Sequence, residues 1–425
     1  MVTQREEMQN CFETAAHPHE DDSAKLIRLA RVTVQFAAMK TLVIIGGGIG
    51  GLAAAACLRH RGIDAQVYER SSQLPEVGAA LALWPNATRV LRHLGLLDSL
   101  VSQSHVSTSS VLHDSHGRVL KQVSWAGTDP PALFAHRADL LATLLTALPP
   151  ATLSLGKTFL RTEQEGPHVR ALFTDGTASP WADGLIGADG IRSAVRTQLF
   201  HDGDPLYRGY VAWRGVAQFD REVALSQTWG RGQRFGLIPI GKNRIGWWAS
   251  ANVANPEQTV MRDTPALWKA EVLRLTAGWH APIPAVVEAT PLDTLLCNIV
   301  HDRPAASRWS DGHITLLGDA AHPATPNLGQ GACMAIEDAA VLAHAVDAIP
   351  DPASAFRVYE ATRFERTRHI TKESLKFGRM GQMNNAFLCS LRNTAFRFSS
   401  DRRIQKNFHD LWSYDAWTTP LMMPT

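Results

Sequence analysis

The clearest apolar run in the chain is Lys40 to Ile45, a short stretch of branched residues that predicts a strand. After a glycine cluster, Leu52 to Arg61 predicts a helix and Ala65 to Glu69 a second strand, which together make a βαβ unit. Residues 106 to 125 carry strand-like segments about the turn His113 to Gly117, and Arg137 to Leu148 is helical until Pro149 and Pro150 end it. Leu185 to Ala188 predicts a buried strand running into Asp189 and Gly190, with Ser193 placed to cap the next helix. From about 205 to 300 the texture changes to short alternating segments: Tyr210 to Val216, Gln233 to Ile240 and Asn243 to Ala251, the last two joined by the hairpin-sized Gly241 and Lys242. Six of the 12 tryptophans fall in this region, at 213, 229, 247, 248, 268 and 279; they stack on a flat ligand or, more commonly, fill the core side of a sheet. The α/β pattern returns with the strand His313 to Leu317. It continues through the loop Gly318 to Gly331 and a helix from about Ala332 to Val346, with further helices over 354 to 412. The order predicts an α/β chain carrying an inserted antiparallel sheet.

The glycine cluster reads G-x-G-x-x-G at Gly46, Gly48 and Gly51, and Glu69 follows 23 positions after Gly46. Gly46 allows the tight turn, Gly48 lets a pyrophosphate approach the backbone, and Gly51 lets helix meet strand. The helix N-terminus, with about half a positive charge, faces the phosphates. A carboxylate ~20 residues on binds a ribose hydroxyl pair and disfavours a 2′-phosphate, so the site suits the adenosine half of FAD or NAD more than that of NADP. A glycine-rich packing turn without ligand is the alternative, disfavoured by strand, helix, strand and acid standing in register.

Composition narrows the class. With 425 residues and 45% apolar residues the chain is globular, with two or three structural units. A formal net charge of +2 is too small to argue for nucleic acid. Five cysteines without CxxC spacing indicate neither a zinc knuckle nor a disulfide framework, which suits a reducing, cytoplasmic compartment. The apolar stretch Leu42 to Leu58 is broken by five glycines, so no membrane span is predicted there. Residues 1–38 lack a signal-peptide core, carry Glu6, Glu7, Asp21 and Asp22, and read as a flexible extension, with Met39 a plausible later start.

Three motifs stand in one order: G-x-G-x-x-G with Glu69, then Gly187-Ala188-Asp189-Gly190, then Gly318-Asp319 with the Asn327 to Gly331 loop. This order resembles the single-component FAD-dependent aromatic hydroxylases, the p-hydroxybenzoate hydroxylase-like class A flavoprotein monooxygenases, from Met39 to about Ala345. The resemblance implies a Rossmann-like FAD-binding domain of the glutathione-reductase type over 39–105, 130–204 and 301–350. It implies a substrate domain over 106–129 and 205–300, then a C-terminal helical segment over 351–425. The implied cofactor-binding residues are Gly46, Gly48, Gly51, Glu69, Arg70, Arg137, Asp189, Asp319, Pro323, Gly329 and Gly331. Among them Arg137 is expected near the pyrophosphate, Asp319 at the ribityl or ribose chain, and Asp189 at both FAD and the passing nicotinamide nucleotide. Pro323 is expected beside the flavin face. Each has a plainer reading: Asp189 as a helix cap, Asp319 as a loop acid, Pro323 as a stiff loop residue.

The chemistry that the resemblance implies is reduction of FAD by NADH or NADPH, capture of O2 as a flavin C4a-hydroperoxide, and hydroxylation or epoxidation of an aromatic, polycyclic or enolic small molecule. In the strand Tyr210-Val211-Ala212-Trp213-Arg214, Tyr210, Ala212 and Arg214 share one face. If that face looks into the cavity, Arg214 can bond a carbonyl, phenolate or flavin edge and Tyr210 can offer a hydroxyl, making these two the catalytic candidates. If it does not, Arg214 is a solvent-facing sheet residue; Arg208 is a weaker alternative. A flavin-dependent halogenase is a competing reading, lowered by the lack of a W-x-W-x-I-P element, and a non-catalytic dinucleotide-fold binding protein is another. The phosphate-loop-like Ala151 to Thr158 reads as a strand start, and His17, His19 and Glu20 to Asp22 lack a scaffold, so no metal is expected. Arg357 to Arg403 holds 11 Lys+Arg against 4 Asp+Glu, interspersed with phenylalanines. Such a stretch can form a membrane-surface face, although helices of this kind more often turn their apolar residues inward.

Overall fold

The computed structural model describes residues 40–74, 79–258, 260–306 and 308–424. The expected N-terminal extension, its histidine and acid cluster, and Met39 lie outside the described residues. Six strands form the nucleotide sheet, in the order Ser310–Asp311, Ile314–Leu316, Gly184–Gly187, Thr41–Ile45, Asp64–Tyr68 and Leu153–Ser154. All neighbours run parallel except the first pair. The central strands Thr41–Ile45, Gly184–Gly187 and Ile314–Leu316 are buried almost throughout, as the middle of a parallel sheet requires. The helix Ile49–His60 is alanine-rich and buried from Gly51 through Leu58, and it shares one core with the helix Gly331–Ala348.

Register is what gathers the motifs. Ile45 pairs with both Tyr68 and Gly187, and Gly187 pairs with Leu316. The strands therefore end in one row. The glycine loop, the Ala188-Asp189 turn and the Gly318-Asp319 turn all leave the sheet at its carboxyl edge, where such sheets bind ligands.

The second sheet has seven strands, in the order Leu296–Asp302, Leu206–Gln218, Arg244–Asn252, Gln233–Pro239, Ser226–Trp229, Ser109–Asp114 and Val119–Ser124. Only Ser226–Trp229 and Ser109–Asp114 pair in parallel. Period two separates its faces. Val211, Trp213, Phe235, Leu237, Trp247 and Ala249 form the back face and share a core with Val272 of the helix Pro265–Leu275 and with Ile283, Val286 and Val287 of the helix Ile283–Glu288. A full side-chain burial of this kind stabilises by about 1.5–3 kcal/mol per large residue. Tyr210, Ala212, Arg214, Arg234, Trp248 and Ser250 fall on the front face.

A small sheet of Ala80–Leu83, Leu133–His136 and His105–Val106 joins the two halves. At that junction a Cβ on Gly246 would stand 2.2 Å from the Ala80 Cβ, so the backbones cross in contact. Behind the nucleotide sheet runs the 30-residue helix Pro352–Gly381, capped by Asp351, whose side chain accepts from the Ser354 N–H. Two further helices, Ala386–Phe398 and Asp401–Trp412, follow it.

Candidate active site

The glycine loop is shaped by contact. Gly46 has φ of 112°, and a Cβ there would sit 2.4 Å from the Ala188 carbonyl oxygen. A Cβ on Gly51 would sit 1.9 Å from the Gly46 oxygen, so neither position admits another residue without rebuilding the turn. Gly48 is different, for its missing side chain opens on space whose nearest atom is Arg137 Nη2 at 4.0 Å. No side chain caps the helix that begins there, so its first N–H groups face the cleft. Glu69 is held at the strand end, its Oε2 accepting from the Gly47 N–H at 2.7 Å and its Oε1 from the Ser71 N–H at 2.9 Å. Each oxygen keeps capacity for a ribose hydroxyl. Arg137 begins the helix Arg137–Thr146, is exposed, and forms no ion pair among the described residues. Arg70 is exposed on the turn beyond the second strand.

Asp189 caps a helix in this structure. Its Oδ1 accepts from the Ser193 hydroxyl at 2.5 Å and its Oδ2 from the Ala194 and Val195 N–H groups at 2.7 and 3.3 Å. Burial pushes its carboxyl above the usual range, with those donors opposing. Ser193 caps the same helix by accepting from the Arg196 N–H at 2.9 Å.

Asp319 is reached by water yet surrounded by protein, as at the floor of a deep cleft. Burial pushes its carboxyl upward, against the pull of His322 and Arg137. Its Oδ1 faces Gly331, 3.9 Å from where a Cβ would be, at the first residue of a helix whose N-terminus also has no side-chain cap. Gly329 takes the left-handed conformation with φ of 62°, and a Cβ there would lie 3.3 Å from Trp84 Nε1, a buried donor without a partner among the described residues. Pro323 is buried in the same loop.

A buried ionic cluster fixes that loop. Asp338 Oδ2 accepts from the Gly318 N–H at 3.0 Å and lies 2.6 Å from His322 Nε2, gripping both ends of the turn that carries Asp319. Arg363 Nε donates to Asp338 Oδ1 at 2.7 Å, and its Nη2 lies 2.6 Å from Glu337 Oε2. Glu337 also pairs with Arg366 at 2.6 Å and accepts from Asn86 at 2.6 Å. Burial opposes ionisation of Asp338, but His322 and Arg363 outweigh it and hold its pKa at about 2. Sequence reading passed over this cluster, although an acid pair inside the apolar run Met334 to Val346 is a legible sign of buried, partnered charge.

The front face of the second sheet supplies the opposite wall. Arg214 Nη1 donates to Asn298 Oδ1 at 2.6 Å and has no carboxylate partner among the described residues. Burial lowers its pKa, and the charge of Arg137 lowers it further. Tyr210 is buried and shares hydrogen bonds of 3.0 and 3.3 Å with the Asn327 amide. Asn327 Oδ1 also accepts from Arg234 Nη2 at 2.5 Å, and Arg234 Nε donates to Gln382 Oε1 at 2.9 Å. Arg234 is only 3% exposed and, among the described residues, has no acid beside it and no partner for its Nη1; burial brings its pKa to about 10. Trp248 lies over Gly236, whose absent Cβ would be 2.2 Å from Trp248 Nε1, and is half-buried on this face. Trp213, Trp229 and Trp247 are buried in packing, as tryptophans in a sheet usually are. Arg208 is engaged elsewhere, in an ion pair with buried Asp302.

Of the expected cofactor residues, the fold thus brings Gly46, Gly48, Gly51, Glu69, Arg137, Asp189, Asp319, Gly329 and Gly331 to the carboxyl edge of one sheet. Asn298, Trp248, Arg234 and the Glu337–Asp338 cluster were missed. Among the described residues no group of three or more metal-ligating side chains is gathered. The free helix N-termini, the Gly48 opening, the Glu69 carboxylate and the cleft-floor acid fit a long dinucleotide with two phosphates and a polyol chain.

Residues 39–374 match the FAD binding domain family. The chain is 37% identical over 373 residues to the aurachin C monooxygenase/isomerase of Stigmatella aurantiaca, spanning 86% of this chain and 95% of that protein. It is 33% identical over 350 residues to the FAD-dependent urate hydroxylase of Klebsiella pneumoniae subsp. pneumoniae, spanning 79% and 88%. Among solved structures, Klebsiella pneumoniae HpxO complexed with FAD and uric acid matches with a TM-score of 0.81 at 29% identity, over 90% of this chain and 98% of that one.

Proposed function

Because the chain belongs to the FAD binding domain family, we propose that it works as an FAD-dependent monooxygenase using NADH or NADPH and O2 to hydroxylate an aromatic or enolic ring. The observation that carries this reading is the common row of strand ends. Three turns leave that row, and Asn327 of the third bonds Tyr210 and Arg234 on the sheet face that also holds Arg214 and Trp248, which supports a cofactor lying between them. FAD supplies, when bound, the capacity to accept a hydride and to deliver one oxygen atom of O2 to the ring.

The chain's own residues do the rest. The N–H groups after Gly48, with Arg137, hold the pyrophosphate; Glu69 takes the ribose; and Asp319, kept in place by Asp338, takes the polyol chain. The uncapped N-terminus at Gly331 favours negative charge by about 0.3–1 kcal/mol at the edge it faces. On the other wall Trp248 offers a flat stacking surface. Arg214, lacking a carboxylate, takes the ionisable oxygen of the substrate ring, which keeps that ring electron-rich for attack. Tyr210 is held by Asn327 and Arg234, so its hydroxyl has one orientation. The apolar back face and its two helices keep water from that wall. The named relatives are a monooxygenase/isomerase and a urate hydroxylase, and no observation favours halogenation or cofactor-free binding.

The test is a screen of small phenols, hydroxylated heterocycles and enols against the flavin-loaded chain. Stimulated NADH or NADPH oxidation with a product heavier by one oxygen is expected. Oxidation that yields only hydrogen peroxide across the whole screen would contradict the reading.

A further inference from the structure

The helix Ala386–Phe398 is apolar on two separate faces. Inward, Cys389 and Arg392 are buried, and Phe396 meets Trp229 edge to face at 5.1 Å between centroids. Arg392 lies over the same indole at 5.1 Å and donates to the Gly230 carbonyl at 3.2 Å. These contacts dock the helix on the second sheet. Outward, Phe387 is 75% exposed, Leu388 46%, Leu391 57% and Phe398 85%. At 3.6 residues per turn these four, with Thr394 and Ala395, fall within an arc of roughly 120°, a continuous stripe that faces water.

The chain segment around the stripe carries one sign of charge. Between Glu373 and Asp401 it holds Lys376, Arg379, Arg392 and Arg397 and no acid, with Lys376 paired to Glu373 and Arg392 turned inward. Arg379, Arg397 and Arg402 are exposed and have no ion pair among the described residues. Asp401 is drawn off by an ion pair with Lys121. A second copy of the chain, seated on this stripe by two-fold symmetry, would bring these cations against one another. An anionic lipid surface accepts both features, the stripe among its acyl chains and the cations among its headgroups. No helix among the described residues is long and apolar enough to cross a membrane, so contact here is with one leaflet.

We propose that the outward face of the helix Ala386–Phe398 is a membrane-surface anchor that docks the protein on anionic lipid. This does not rest on the catalytic reading. Docking would hold the front face of the second sheet near the interface, since Gln382, just before the helix, bonds Arg234 and Ser250 of that face.

The experiment is co-sedimentation of the flavin-loaded full chain with vesicles of phosphatidylcholine alone or with about one-third phosphatidylglycerol. Binding to the mixed vesicles, weaker in high salt and about tenfold weaker in a Phe387→Ser, Phe398→Ser double variant, is expected. The variant's flavin absorbance and mass in solution are read alongside. Three results would overturn the proposal: no binding by the parent chain, equal binding by parent and variant, or a dimer of the parent that the substitutions convert to a monomer. The last would make a second copy the occupant.

Discussion

Arg363, beneath the nucleotide sheet, and Arg234, in the inserted sheet, are almost equally sealed from water, at 0% and 3% exposure. Arg363 touches two carboxylates, and although burial opposes its charge, Glu337 and Asp338 push its pKa well above the usual value. Arg234 touches two amide oxygens and no acid, and burial pulls its pKa down to about 10. Arg214, on the same face, is likewise bonded to an amide alone. The nucleotide half has balanced its buried charge and is finished as a scaffold. The facing sheet carries uncompensated positive charge, which suits a wall that receives an anionic ring.

One substitution applied to both residues separates the two regimes. Arg363→Met leaves buried Glu337 to Arg366 and Asp338 to His322 alone and should cost about 3–5 kcal/mol in urea denaturation, with loss of bound flavin because the Gly318–His322 turn is loosened. A loss below about 1 kcal/mol would show that this cluster does not hold the turn. Next in size, Arg214→Gln should lower kcat/KM for the ring substrate by about tenfold to a hundredfold while flavin content and stability stay put. Equal kinetics in that variant would remove Arg214 from the site. Smallest on stability is Arg234→Met. Relief from burying a cation offsets the loss of one donor at each of two amide oxygens, which keep Tyr210 and Ser250 as donors, so unfolding should move by no more than about 1–2 kcal/mol in either direction. Its turnover should fall, since Asn327 and Tyr210 lose their fixed orientation. A collapse of stability at Arg234 matching that at Arg363 would erase the distinction between the halves.

What was legible in the sequence follows the same division. Gly46 and Gly51 stand out because backbone contact at 2.4 and 1.9 Å forbids a side chain, and that constraint writes itself into residue type. Ser193 and Asp189 were readable as caps because capping is local. Period two placed Tyr210 and Arg214 on one face without any knowledge of the partner strands. The rest was hidden by distance. Arg214 meets Asn298 across 84 positions and Arg234 meets Gln382 across 148, through strand pairings and a helix end that no local pattern specifies. Trp247 and Trp248 are neighbours in the chain and end on opposite faces, one in the core and one over Gly236 in the cleft. Alternation gives the split but not which side is wet. The exposed stripe on the helix Ala386–Phe398 was half legible: the basic, phenylalanine-rich run raised a membrane-surface face, but its composition equals that of an ordinary packed helix until the inward face is known to be Cys389, Arg392 and Phe396.

The central claim is that the cleft between these halves transfers oxygen from O2 to a ring. It is tested most directly by turning over a screened substrate under oxygen-18 gas with the flavin-loaded chain and reading the product mass. One labelled atom in the product for each NADH or NADPH consumed is the result predicted. Label confined to hydrogen peroxide, or a product whose new oxygen comes from water, would contradict the account.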